Sequence, residues 1–130
     1  MKLKLLLDTC TFLWLATDAP ELSGTARELF ENPANDTFLS SVSSWEIAVK
    51  NSLGALPLPE PPEIFVPQTR EQMGIESLAL EEEATLYLAR LPKVHRDPFD
   101  RMLICQALCH GMALLTPDSH ILQYPVRTVW

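Results

Sequence analysis

The sequence predicts an α/β protein built around a mostly parallel sheet. Short apolar runs alternate along the chain with stretches of helical spacing. The first run, Leu3 to Leu7, is apolar at odd and even positions alike, the pattern of a parallel strand covered on both faces. Several strand-to-helix junctions carry an acid, and in a parallel sheet those junctions share one edge.

Leu3 to Leu7 closes on Asp8 and leads into a helix over Thr9 to Ala16, with Phe12, Leu15 and Ala16 at helical spacing. Asp18-Ala19-Pro20 breaks it. Ser23 caps a second helix, Gly24 to Glu31, and Asn32-Pro33 ends it. Thr37 to Ser41 reads as the second strand. Ser43-Ser44-Trp45-Glu46 fits a capping box opening a helix that runs to about Leu53, with Gly54 as its C′ residue. The proline-rich Leu56 to Pro62 is an ordered loop rather than a linker. A helix before Gly74 has Pro67 in its first turn. Ile75 to Leu80 is extended. Glu81 to Arg90 is a helix whose acidic start suits the macrodipole, with Ala84, Leu88 and Leu91 as its buried stripe. After a loop from Leu91 to Arg96, Asp97-Pro98-Phe99-Asp100 opens the longest helix, which ends near His110-Gly111. Met112 to Leu115 is the third strand, Ser119 to Gln123 a helical turn and Val126 to Val129 the last strand.

The 130 residues suit one domain, 1–130, and 47% apolar residues suffice for one core. Ten Lys and Arg against 17 Asp and Glu give a net charge of −7. That balance argues against a nonspecific nucleic-acid binder, which needs clustered cations. It leaves room for a nuclease whose acids meet phosphate through a metal ion, and it suits a basic protein partner. Cys10, Cys105 and Cys109 are odd in number and lack C-x-x-C spacing, so they read as reduced cytoplasmic thiols. Cys105 and Cys109 are small fillers of one helix rather than zinc ligands. No run is long enough to span a membrane.

Each acid has a local explanation. Asp8 can cap the helix after its strand, Glu46 can complete the capping box, and Asp118 can shape the Thr116-Pro117-Asp118 turn. Asp97 suits N-cap ahead of Pro98, whereas Asp100 shares the buried face with Leu103, Ile104 and Ala107. The combination weighs more than the parts. Carboxylates ~5–6 Å apart repel by about 3 kcal/mol per pair at an effective dielectric near 20. Gathered at one sheet edge they call for a cation, and oxygen ligands with no well-placed His or Cys set favour Mg²⁺ or Mn²⁺.

The segments LLLDTCTFLWL, SVSSWEIAVKNSLGAL, HRDPFDRMLICQAL and LLTPDSHILQYPV, in this order, resemble the PIN-domain ribonucleases of the VapC toxin type. The resemblance spans nearly the whole chain, and DPFDR and WEIAVK are its most specific parts. It implies a three-layer α/β/α sandwich and a Mg²⁺-dependent endoribonuclease that uses a metal-activated water and leaves a 5′-phosphate. It implies an acidic site of Asp8, Glu46, Asp100 and Asp118, with Asp8 and Asp100 as the most direct metal ligands. Asp97 and Thr116 would support the site, Thr116 by bonding Asp8 or a metal-bound water. Lys50, Arg96 and Arg101, with Lys93 and His95 nearby, are candidate contacts to RNA phosphates, or ordinary surface charge. The same resemblance implies a VapB-type antitoxin lying across the site, and a homodimer. Leu56 to Phe65 and the first helices, with Trp14 and Trp45, are candidate antitoxin grooves, unless those tryptophans are core residues.

Two other classes fit some of these features. A receiver-like phosphoacceptor domain also sets acids around Mg²⁺, but it needs paired acids after the first strand and a Lys near the last, and this chain has neither. A non-catalytic binding module would use the acids only as caps, and its metal binding would be indifferent to Asp8→Asn.

Overall fold

The computed structural model describes residues 2–130. Five parallel strands form one sheet: β1 (Lys4–Leu7), β2 (Asp36–Ser40), β3 (Glu76–Leu78), β4 (Ala113–Leu115) and β5 (Thr128–Val129), in the order β3-β2-β1-β4-β5. The helices are α1 (Thr9–Thr17), α2 (Gly24–Glu31), α3 (Ser41–Ser52), α4 (Pro62–Gln72), α5 (Glu82–Tyr87) and α6 (Pro98–His110).

Leu5, Leu6 and Leu7 of the central strand are fully buried, as their two-sided apolar pattern requires. Leu6 enters a core with Leu103, Ile104, Ala107 and Leu114, beneath α6 and α5. Leu7 enters a second core on the other face with Phe12, Leu15, Ile47 and Leu115. Two cores on opposite faces of one sheet make the α/β/α sandwich. Helix α3 contacts α1, α4 and α6, and it feeds Val42 to the first core and Ile47 to the second.

The chain winds from β1 out to β2 and β3, then returns to place β4 on the other side of β1. The order reverses between β1 and β4, and there the carboxyl ends of the strands leave a crevice. The register sets Leu7 beside Leu115, so the next residues, Asp8 and Thr116, meet at its floor.

Several boundaries depart from the sequence reading. Glu76–Leu78 is a fifth, edge strand. Strand β2 passes directly into α3, and Ser40 caps it by accepting from the Val42 N–H at 3.0 Å. Ser43 and Glu46 therefore lie inside the helix, and no capping box forms. Pro62, not Pro67, takes the first turn of α4, and Pro67 lies in its interior. The helix expected over Glu81 to Arg90 is α-helical only over Glu82–Tyr87 and tightens to a 3₁₀ turn at Leu88–Arg90. Pro92 explains that ending, because the residue before a proline is pushed out of the helical region, and Leu91 is extended. Helix α6 follows its sequence signals: Asp97 caps it, Pro98 is its first residue, and Gly111 closes it at φ 65°.

Candidate active site at the strand switch point

Asp8 is 5% exposed, and both its oxygens are engaged. Oδ1 accepts from the Thr11 N–H at 2.6 Å, so Asp8 does cap α1. Oδ2 accepts from the buried Thr116 hydroxyl, whose oxygen in turn accepts from the Asp118 N–H at 3.1 Å. Burial pushes the Asp8 carboxyl up, its bonds to Thr116 and Thr11 oppose this, and the charge of Asp118 adds to the rise. Thr11 Oγ1, next to it, is buried and otherwise without a partner among the described residues.

Glu46 is also 5% exposed, because α3 turns it inward one turn beyond Val42. Its Oε1 accepts from Thr9 Oγ1 at 2.6 Å, and Ser43 lies 3.0 Å from the same hydroxyl. Lys50, four residues on, pairs with Oε2. With the capping role gone, its burial beside Thr9 turns Glu46 toward the crevice.

Asp100 sits in the first turn of α6, where Asp97 accepts from the N–H groups of Phe99 at 2.9 Å and Asp100 at 3.1 Å. The Asp100 carboxyl is pushed up to about 6. Burial is the main cause, the His95 hydrogen bond opposes it, and the charges of Asp97, Asp118 and Glu46 raise it further. Cys10 records the same field: burial first, then Asp8 and Glu46, push its thiol up to about 11. Asp8, Glu46, Asp100 and Asp118 thus share one electrostatic neighbourhood. Asp118 is half-exposed and holds its own turn, accepting from the His120 N–H at 2.8 Å and the Ile121 N–H at 3.2 Å.

Among the described residues no group of three or more His, Cys, Asp and Glu side chains is drawn tightly enough to hold a metal ion by itself. The donor chemistry nonetheless fits a hard divalent cation. All four candidates are carboxylates that raise one another's proton affinity or that of their neighbours, and Mg²⁺ keeps several waters while binding one or two carboxylates directly. Lys50 and His95 supply the positive or donor partners for Glu46 and Asp100.

The candidate RNA contacts separate. Lys50 is tied to Glu46. Arg101 is a brace: one of its guanidinium nitrogens donates to the Pro92 carbonyl at 2.8 Å and to the Tyr124 hydroxyl at 3.1 Å. Arg96 and Lys93 line a cleft of about 470 Å³ with Arg101 and His95, the hydrogen-bond partner of Asp100. Trp45 is 58% exposed rather than a core residue, and it stacks edge-on against Phe99 at 4.9 Å, flanking Glu46 and Asp100. Trp14 packs on Trp130, and Leu56, Leu58 and Phe65 pack on the second core.

Sequence reasoning missed Thr9 and Tyr124 and treated His95 only as a charge. Thr9 could have been found from its place directly after Asp8. Tyr124 comes from a remote loop and carries no local signal.

An all-parallel sheet with buried carboxylates at its switch point defines an acid-centred α/β domain. The PIN domain family model matches residues 5–126, and the chain belongs to that family. Among curated proteins it is 34% identical over 73 residues to ribonuclease VapC16 of Mycobacterium tuberculosis (strain ATCC 25618 / H37Rv), a match covering 56% of this chain. The chain spans about half the length of that relative, 50%. Among solved structures it resembles VapBC2 from Rickettsia felis bound to a promoter DNA fragment (TM-score 0.72, 14% identity, 98% of each chain). It also resembles DNA-bound VapBC from Salmonella typhimurium (TM-score 0.70, 21% identity, 98% of this chain and 97% of that one). At such identities these structures speak for the fold. No helix among the described residues is long and apolar enough to cross a membrane.

Proposed function

We propose that this chain is a divalent-metal-dependent endoribonuclease, the toxin of a VapBC-type toxin–antitoxin pair acting in the cytoplasm. The observation that carries the reading is the gathering of four carboxylates at the switch point, where the charge of Asp118 reaches Asp8 and the charges of Asp118 and Glu46 reach Asp100. Membership of the PIN family and the likeness to a named VapC ribonuclease support it.

Asp8 and Asp100 are the proposed direct ligands of Mg²⁺, or Mn²⁺, with Asp118 completing the site. A cation held there would polarise a phosphoryl oxygen and acidify a water. Glu46, held by Thr9 and Lys50, would orient that water and accept its proton. Thr116 holds Oδ2 of Asp8, and Asp97 sets the first turn of α6 on which Asp100 rides. Arg96 and Lys93 are the cations most open to an RNA phosphate, while Lys50 and Arg101 act first as braces. The proposed protein partners are a VapB-type antitoxin and a second copy of this chain, in keeping with the VapBC complexes it resembles.

The test is induced expression followed by sequencing of cellular RNA 5′-ends. New 5′-phosphate ends that vanish with Asp100→Asn are the expected result. Induction that yields no new ends would remove the nuclease assignment, and new ends that persist in Asp100→Asn would remove Asp100 from the site.

A further inference from the structure

The Tyr124 hydroxyl is surrounded in a way that fixes where every proton lies. Its oxygen faces two donors, the His95 backbone N–H at 3.2 Å and the Arg101 guanidinium at 3.1 Å. A phenolic oxygen has one proton to give. With both donors pointing at the oxygen, that proton is left for the third neighbour, Nδ1 of the His95 ring, at 2.7 Å. Nδ1 must then accept. In a neutral imidazole one nitrogen accepts and the other donates, so the ring proton sits on Nε2. Nε2 lies 3.1 Å from Oδ2 of Asp100. The ring cannot easily swing away: His120 stacks flat on it at 5.0 Å with an interplanar angle of 5°, and Tyr124 is 4% exposed at the edge of the first core.

We propose that Arg101 and Tyr124 lock His95 in its Nε2–H tautomer, and that His95 is thereby a positioning residue that holds the carboxyl of Asp100, a proposed cation ligand, through Oδ2. The proposal rests on the metal-site reading above and extends it to three residues outside the acidic set. The logic is that of an outer shell. A ligating carboxylate free to rotate gives up that freedom when it binds, whereas one already pinned through a single oxygen has less to lose. Removing such partners typically weakens metal binding by about 10–100-fold. Arg101 thus acts on the site from a distance, through one hydroxyl, in addition to any contact with substrate.

Two measurements on the purified protein without RNA test this. The first is the ¹⁵N NMR signature of the His95 ring at pH 8 in chelator. A protonated Nε2 and a bare Nδ1 are expected in the wild type, and a mixture of tautomers in Tyr124→Phe, which keeps the packing and loses the hydroxyl. The second is Mn²⁺ binding by calorimetry, with roughly 10–100-fold weaker affinity expected for His95→Ala and partial recovery in His95→Gln, whose amide can donate to Asp100. Circular dichroism checks that each variant is folded. A wild-type ring with its proton on Nδ1 overturns the proposal, as does Mn²⁺ affinity in folded His95→Ala equal to that of the wild type. A wild type that binds no Mn²⁺ overturns the metal-site reading itself and this extension with it. Unequal ring tautomers with equal affinities would overturn only the extension.

Discussion

Replacing Asp100 with Asn should stabilise the metal-free protein at neutral pH. In the fold the Asp100 carboxyl is pushed from 3.8 up to about 6, chiefly by burial. Each unit is worth 1.36 kcal/mol, so ionising this group within the fold costs at most about 3 kcal/mol. Its side chain is still 21% exposed, and screening by water brings the working figure to about 1–2 kcal/mol. For a domain of this size that is roughly 4–7 °C in melting temperature. The sign follows from linkage. Below the unfolded value of 3.8 both states carry the proton and the group contributes nothing. Between 3.8 and about 6 the folded state alone keeps its proton, so stability falls as pH rises through that window. Above it the full penalty remains. Asn has no such window and still accepts from His95. Thermal melts in chelator should therefore show the variant above wild type at pH 7.5 and equal to it near pH 3. Saturating Mg²⁺, at about 100 times its dissociation constant, should raise the wild type by about 2.7 kcal/mol and leave the variant nearly unmoved. A variant that melts at or below wild type at pH 7.5 in chelator would refute the reasoning, as would a gap that persists unchanged at pH 3.

Three other outcomes are expected. Gln106 is fully buried; it accepts from Ser40 and donates to the Ala79 carbonyl at 3.2 Å, so it ties α6 to the ends of β2 and β3. Gln106→Ala should cost about 2–4 kcal/mol in urea unfolding, from the cavity and the stranded partners. Asp97→Ala should lose about 1 kcal/mol of cap energy, whereas Asp97→Asn keeps the cap and lightens the charge on Asp100, so it should be no less stable than wild type. Thr116→Val removes the hydroxyl that holds Asp8, and should lower stability by about 1–3 kcal/mol and weaken the response to Mg²⁺ in the same melts.

The acids were legible because each is marked locally: Asp8 closes an apolar run, Asp100 follows Asp97-Pro98, and Asp118 ends Thr116-Pro117. Asp8 and Asp97 are both caps, so the local explanation holds for them, and it is compatible with the proposed role of each in the site. Glu46 was harder. The Ser43 to Glu46 spacing suggested a capping box, but a strand that runs into a helix without an intervening loop moved the cap to Ser40. Only that shift of three residues turned Glu46 from a terminus residue into a buried one. Trp45 was left between a groove and the core by its apolar neighbours, and on α3 it faces outward against Phe99.

By itself the sequence determined the alternation of strands and helices, the two-sided burial of the first strand, the termini of α6 and the acids proposed for the site. These depend on contacts within a few residues: hydrophobic period, capping and proline geometry. The tertiary structure decided what those acids experience. The β3-β2-β1-β4-β5 order brings Asp8 beside Thr116 and sets Asp100 and Glu46 in the same field, across separations of tens of residues. It also delivers Tyr124 to the ring of His95 and Arg101 to the Tyr124 hydroxyl. Such pairings are fixed by sheet order and packing, which no local pattern encodes, and they govern which proton sits where around the proposed site.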